Sequence, residues 1–245
     1  MPIAVFFRPD EDFALQYAKS WLKSGVEEAN KRGYTVIDLV DADCTFDKLK
    51  DTLENNNVDV AMLAGHGSST VFTGYQQQVV FQACQGDEIM AGTISHFLSC
   101  IVGQELLPSM ITKGAVWTIG YQETFDFMVD TSFPIEEDPV AQPFKEITVA
   151  IVTAILDGKK LKEAWDIGIA KCDEWIQKLW DRPEVQWAEV ISTIQHDRDC
   201  MIGLGSEEAY AKTPTILSAS VAIPIVIGIS ILGIGWLIYN YMVTH

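Results

Sequence analysis

Apolar residues in the first hundred positions come as short, mostly unbroken runs, separated by longer stretches in which they recur every three or four residues. The runs Ile3 to Phe7, Thr35 to Val40 and Val58 to Ala64 are too short for helices and predict buried strands. Between the first two, Phe13, Tyr17, Trp21, Leu22 and Val26 fall at helical spacing, and Gly33 sits where a helix stop belongs. A second helix is expected from about Thr45 to Leu53, with Asn55-Asn56-Asn57 as the loop into the third strand. This β-α-β-α-β opening predicts a mostly parallel sheet with right-handed crossovers, hence an α/β fold.

The pattern changes between Ser68 and Gly86, where Gly74-Tyr75 is a turn signal and Tyr75 to Phe81 reads as a hairpin arm. A short helix at Asp87 to Ala91, a strand at Ile94 to Ser99, a helix at Gln104 to Lys113 and a strand at Ala115 to Tyr121 follow. Glu123 to Pro143 holds three prolines and six acidic residues, which predicts a long surface loop. Helices are then expected at Phe144 to Leu156, Lys159 to Trp180 and Pro183 to about Gln195, with a last short strand from Cys200 to Gly205.

From Thr215 to Val243 there is no charged side chain for 29 positions, longer than the roughly 20 apolar residues that span a bilayer. The reading is three parts: an α/β domain over 1–207, a linker over 208–214 and a transmembrane helix over 215–243. Pro224 bends that helix, and Trp236, Tyr239 and Tyr241 suit an interfacial belt. Ser220, Pro224 and Gly228, at spacing four, make a shallow stripe on which another helix could pack. Lys212 before the span, and no Lys or Arg after it, place the large domain in the cytoplasm by the positive-inside tendency.

The net charge of −17 repels phosphate backbones, so nucleic acid is not an expected partner. Five cysteines form no Cys-x-x-Cys pair and no zinc pattern with the four histidines. Their odd number, and an amino terminus without the charged start and long apolar region of a secretory leader, fit reduced thiols in a cytosolic setting.

Candidate chemistry lies at two strand ends. The run Val58 to Ala64 breaks off at Gly65-His66-Gly67-Ser68-Ser69, and the run Ile94 to Ser99 ends at Cys100. Carboxyl ends of parallel strands face a common crevice, so His66 and Cys100 could meet although 34 positions separate them. An imidazole beside a thiol makes a nucleophile. Gly67 allows close backbone approach, and its N–H, with that of Cys100, could face a developing oxyanion.

An apolar strand ending in His-Gly, followed some thirty to forty residues later by one ending in Ser-Cys, resembles the caspase-like cysteine peptidase clan. The sequel Gly103, Leu106 to Ala115 and the run Val116 to Gly120 is similar to its gingipain-type and CHAT members. The resemblance covers roughly Ile3 to Gly205, with specific motifs between Ala64 and Tyr121, and the Gly-Asp-Pro often found in the last strand is absent. It implies a caspase-like three-layer α/β/α sandwich, a cysteine endopeptidase with Cys100 as nucleophile and His66 as general base, and a protein or peptide substrate. Loops after the cysteine build the substrate pocket in such families, which makes Glu123, Asp126 or Asp130 candidates for selecting a basic side chain.

No metal or organic cofactor is implied. Ser99 lacks the flanking glycines of a serine-hydrolase elbow, and no phosphate-binding loop is present. The alternative is a catalytically silent caspase-like scaffold or binding subunit of a membrane complex.

Overall fold

A computed structural model describes residues 1–182, 184 and 186–215 of the chain. Eight strands and six helices are described among them. In chain order these are β1 (Ile3–Arg8), α1 (Phe13–Lys31), β2 (Thr35–Val40), α2 (Phe46–Asn55), β3 (Val58–Ala64), β4 (Val71–Thr73), β5 (Val79–Gln82), β6 (Ile94–Leu98), α3 (Leu106–Thr112), β7 (Trp117–Tyr121), α4 (Gln142–Leu156), α5 (Leu161–Trp180), α6 (Gln186–Cys200) and β8 (Met201–Gly205). The main sheet runs β2-β1-β3-β6-β7-β8, with β8 alone antiparallel to its neighbour, and β4 and β5 form a separate hairpin.

Because side chains alternate across a strand, each central strand feeds two cores. In β1, Ala4 and Phe6 pack with α1, α4, α5 and α6 on one face, while Val5 and Phe7 pack with α2, α3 and the β4–β5 hairpin on the other. That gives three layers and explains why the strands read as unbroken apolar runs: both faces are covered.

The sequence places β1, α1, β2, α2, β3, β6 and α3 within a few residues of where they lie. Three readings are corrected. Tyr75 to Phe81 is not one arm, because Tyr75–Gln77 forms a short helical turn and only Val79–Gln82 is strand; Gln76 and Gln77 have φ of 54° and 55°, outside the range a strand allows. The last helix runs on through Cys200, so Cys200 closes α6 instead of opening β8. Residues 209–212, read as linker, pack on the domain: Trp117 Nε1 donates to Ala209 O, Tyr34 Oη donates to Lys212 O, and Ala211 is buried.

The expected membrane span over 215–243, with its stripe of Ser220, Pro224 and Gly228, lies outside the described residues apart from Thr215. Among the described residues no helix is long and apolar enough to cross a membrane.

The loop between β7 and α4 is irregular, as its prolines demand, but it is anchored by rings the charge count conceals. Phe127 packs edge-on against Trp21 with centroids 4.9 Å apart, and Phe125 lies 4.7 Å from Tyr121. Its buried carboxylate, Asp138, accepts from Tyr17 Oη and from the N–H groups of Asp130, Val140 and Ala141.

Candidate active site

Three neighbouring parallel strands deliver three polar side chains to one rim of the sheet. β3 and β6 pair with Ala64 opposite Leu98, so His66 and Cys100 each lie two residues beyond the same aligned pair. Adjacent strands are about 4.8 Å apart, which sets the two loops side by side. The loops touch: the Gly65 N–H donates to Leu98 O at 3.4 Å. A Cβ placed on Gly67 would overlap Cys100 O and Ser99 Oγ, so only glycine fits there.

On the other side of β3, β1 leads into Asp12, the N-cap of α1. Its Oδ1 accepts from the Leu15 N–H at 2.9 Å, which is why the helix starts here, and its Oδ2 lies 2.5 Å from His66 Nε2. Burial pushes the Asp12 carboxyl up, but the Leu15 N–H and the imidazole outweigh it and hold the group below its ordinary range. A proton on Nε2 bonded to Asp12 leaves Nδ1 as the nitrogen able to accept another. The His66 and Asp12 side chains are each 41% exposed, so this pair sits at the mouth of the crevice.

Cys100 is in a different state. Its thiol donates to Phe125 O at 3.8 Å, and among the described residues no hydrogen bond joins it to His66. Burial pushes the thiol up, and the nearby carboxylates of Asp126 and Asp197 push it further, so the neutral form is favoured. The next residue, Ile101, has φ of 63°, a left-handed conformation that a β-branched residue adopts only under constraint. The Ile101 N–H donates to Glu123 O and the Gly103 N–H to Tyr121 O, which holds this elbow in place. Among the described residues, the N–H groups of Gly67 and Cys100 donate to no protein acceptor.

Of the three loop carboxylates, Glu123 and Asp126 flank His196, at 3.8 and 3.7 Å from its ring nitrogens. Asp130 is apart from them, with its carboxylate taken by the N–H and hydroxyl of Ser132. Asp12 and His196 were not among the residues singled out from sequence. An acidic residue after the first strand and at a helix start was the available signal for Asp12. His196 carries no such signal, since its neighbours come from a loop about 70 positions away. His96 is fully buried in β6 with neither ring nitrogen partnered.

The layers, the parallel sheet and its antiparallel edge strand are consistent with a caspase-like fold. No protein-family model and no curated protein matches the chain in sequence. Among solved structures the chain is similar to the complex of Porphyromonas gingivalis RgpB pro- and mature domains, with a TM-score of 0.56 and 12% identity over 86% of this chain and 48% of that one. The chain thus spans about half the length of this neighbour.

Proposed function

We propose that the chain is a cysteine endopeptidase of caspase-like fold in which Cys100 attacks the scissile carbonyl and His66 moves the proton. The observation that supports this reading most is the shared register of β3 and β6, with residues 66 and 100 each two positions beyond the aligned pair Ala64 and Leu98. Asp12 fixes the imidazole through Nε2 and stabilises the imidazolium that forms when Nδ1 takes up the thiol proton. The unengaged N–H groups of Gly67 and Cys100 hold the oxyanion, His66 then protonates the leaving amine, and water releases the acyl-enzyme. With the Cys100 thiol bonded to Phe125 O, the productive contact forms once substrate displaces the segment from Glu123 to Asp126. Those two carboxylates then face a basic substrate side chain.

The uncharged stretch 215–243 is proposed to anchor the domain in a bilayer, with the domain on the cytoplasmic side and Ser220, Pro224 and Gly228 open to a partner helix.

Incubating the purified protein with a peptide library beside Cys100→Ala tests the activity. Cleavage confined to the unaltered chain is expected, and identical product patterns from both would sink it. A second reading, a silent scaffold, draws on the covered, neutral state of Cys100. Alkylation at neutral pH separates the two. Cys84 is the exposed reference thiol: a nucleophile makes Cys100 react faster than Cys84 despite its burial, and His66→Ala removes that advantage, whereas a scaffold leaves Cys100 the slower of the two throughout.

A further inference from the structure

Away from the Asp12, His66 and Cys100 row, His196, Asp197 and Cys200 bring one donor atom each to within 4.8 Å of one another. They share one side of the last turns of α6, His196 and Cys200 four positions apart and Asp197 three before Cys200. Asp197 is 3% exposed; its Oδ1 accepts the Asp126 N–H at 3.0 Å, while Oδ2 is buried without a hydrogen-bond partner. A buried carboxylate oxygen in that state lacks a proton or a cation.

The described surroundings of this cluster are acidic. Glu123 Oε2 lies 3.8 Å from His196 Nδ1 and Asp126 Oδ2 lies 3.7 Å from Nε2, adding negative charge on the open side. Arg198, the nearest basic residue in sequence, is turned to Asp173 and Asp199. Among the described residues no Lys or Arg forms an ion pair with Glu123, Asp126 or Asp197.

We propose that His196, Asp197 and Cys200 form a binding site for one divalent cation of the zinc class, with Glu123 or Asp126 completing the coordination. A nitrogen, oxygen and sulfur donor set selects such an ion over calcium or magnesium, which take oxygen ligands. Metal–ligand bonds of about 2.0–2.3 Å put tetrahedral donors roughly 3.3–3.8 Å apart, so the three side chains need to close by about an ångström. Binding forms metal–thiolate and metal–carboxylate bonds, and the Cys200 proton and the proton that burial favours on Asp197 leave to solvent.

The same short segment serves both this site and Cys100. Thr124 O accepts from His196 Nε2 at 2.9 Å and from the Cys200 thiol at 4.0 Å, while Glu123 O holds the Ile101 N–H and Phe125 O holds the Cys100 thiol. An ion here therefore sets how readily that segment is displaced from Cys100. The binding itself does not depend on Cys100 being a nucleophile.

The full chain, purified in detergent and stripped with a chelator, is titrated with Co²⁺. The expected result is one equivalent bound, with a thiolate-to-cobalt charge-transfer band that is lost when Zn²⁺ displaces Co²⁺. Cys200→Ser removes the band, Cys100→Ser keeps it, and His196→Gln, at a partly exposed position, weakens Co²⁺ binding at least tenfold. No band in the unaltered chain, a band that survives Cys200→Ser, a band lost with Cys100→Ser, or unchanged affinity in His196→Gln each overturns the site. The His196 variant decides the matter if Cys200→Ser fails to fold.

Discussion

The two strand ends that meet at the candidate site are built on opposite principles. The His66 end is open to water, charged, and tied through Asp12 to the start of α1. The Cys100 end is half-buried under the backbone of Phe125, and four residues earlier in β6 the ring of His96 is dry and unpartnered. A base needs a solvated, oriented ring to exchange protons, whereas a thiol kept neutral under a loop is protected until something lifts the loop. The difference teaches that, in the proposed reaction, readiness at this rim resides in the imidazole and restraint resides in the thiol.

The dry side gives the largest expected effect. Burial pushes His96 from 6.5 down to about 4, so the ring is neutral in the fold while the unfolded chain takes up a proton near 6.5. Stability is therefore fully present above pH 6.5 and falls as pH drops from there to about 4, by about 3 kcal/mol in total. His96→Leu should abolish that slope and be no less stable at neutral pH, as chemical denaturation across this range would reveal. An unchanged slope would show that the covered side is wetter than described.

Joining the two ends is Gly67. Gly67→Ala drives a methyl group into Cys100 O and Ser99 Oγ and should cost about 1–3 kcal/mol, with a clear change in Cys100 alkylation rate. Normal stability and labelling in this variant would mean that the loops are not in contact.

The smallest effect separates the two tasks of Asp12. Asp12→Ala should lower stability by about 1 kcal/mol through the lost helix cap. Asp12→Asn keeps a cap and should change stability by only a few tenths. Both should slow peptide cleavage alike, since neither offers a carboxylate to the imidazole. Full activity in the Asn variant would reduce Asp12 to a capping residue.

Elements made of local pattern were legible in the chain. β1, β3 and β6 are runs buried on both faces, and α1 carries its apolar residues at helical spacing, so neither needed knowledge of distant partners. The adjacency of the loops that carry His66 and Cys100 was legible because both loops follow such runs. Asp12 belongs to the same row, but its bond to His66 spans 54 positions and depends on β1 lying beside β3, which no local pattern states. The cluster at the end of α6 was hidden for a similar reason: its meaning comes from the Glu123 to Asp126 segment folded against it. The prolines and acids of that loop correctly announced irregular backbone, while Phe125 and Phe127, which pin it to Trp21, passed as ordinary loop residues.

Ile101 has a consequence for how this molecule fails. Its left-handed backbone stores on the order of 1–3 kcal/mol, held by bonds such as Ile101 N–H to Glu123 O and Gln104 N–H to Ile101 O. Warming should release that spring before the sheet melts, letting the sulfur drift from its perch while the layers still stand. A change in the Cys100 alkylation rate should therefore set in some degrees below the global unfolding transition, giving the domain a fuse that blows before the house falls.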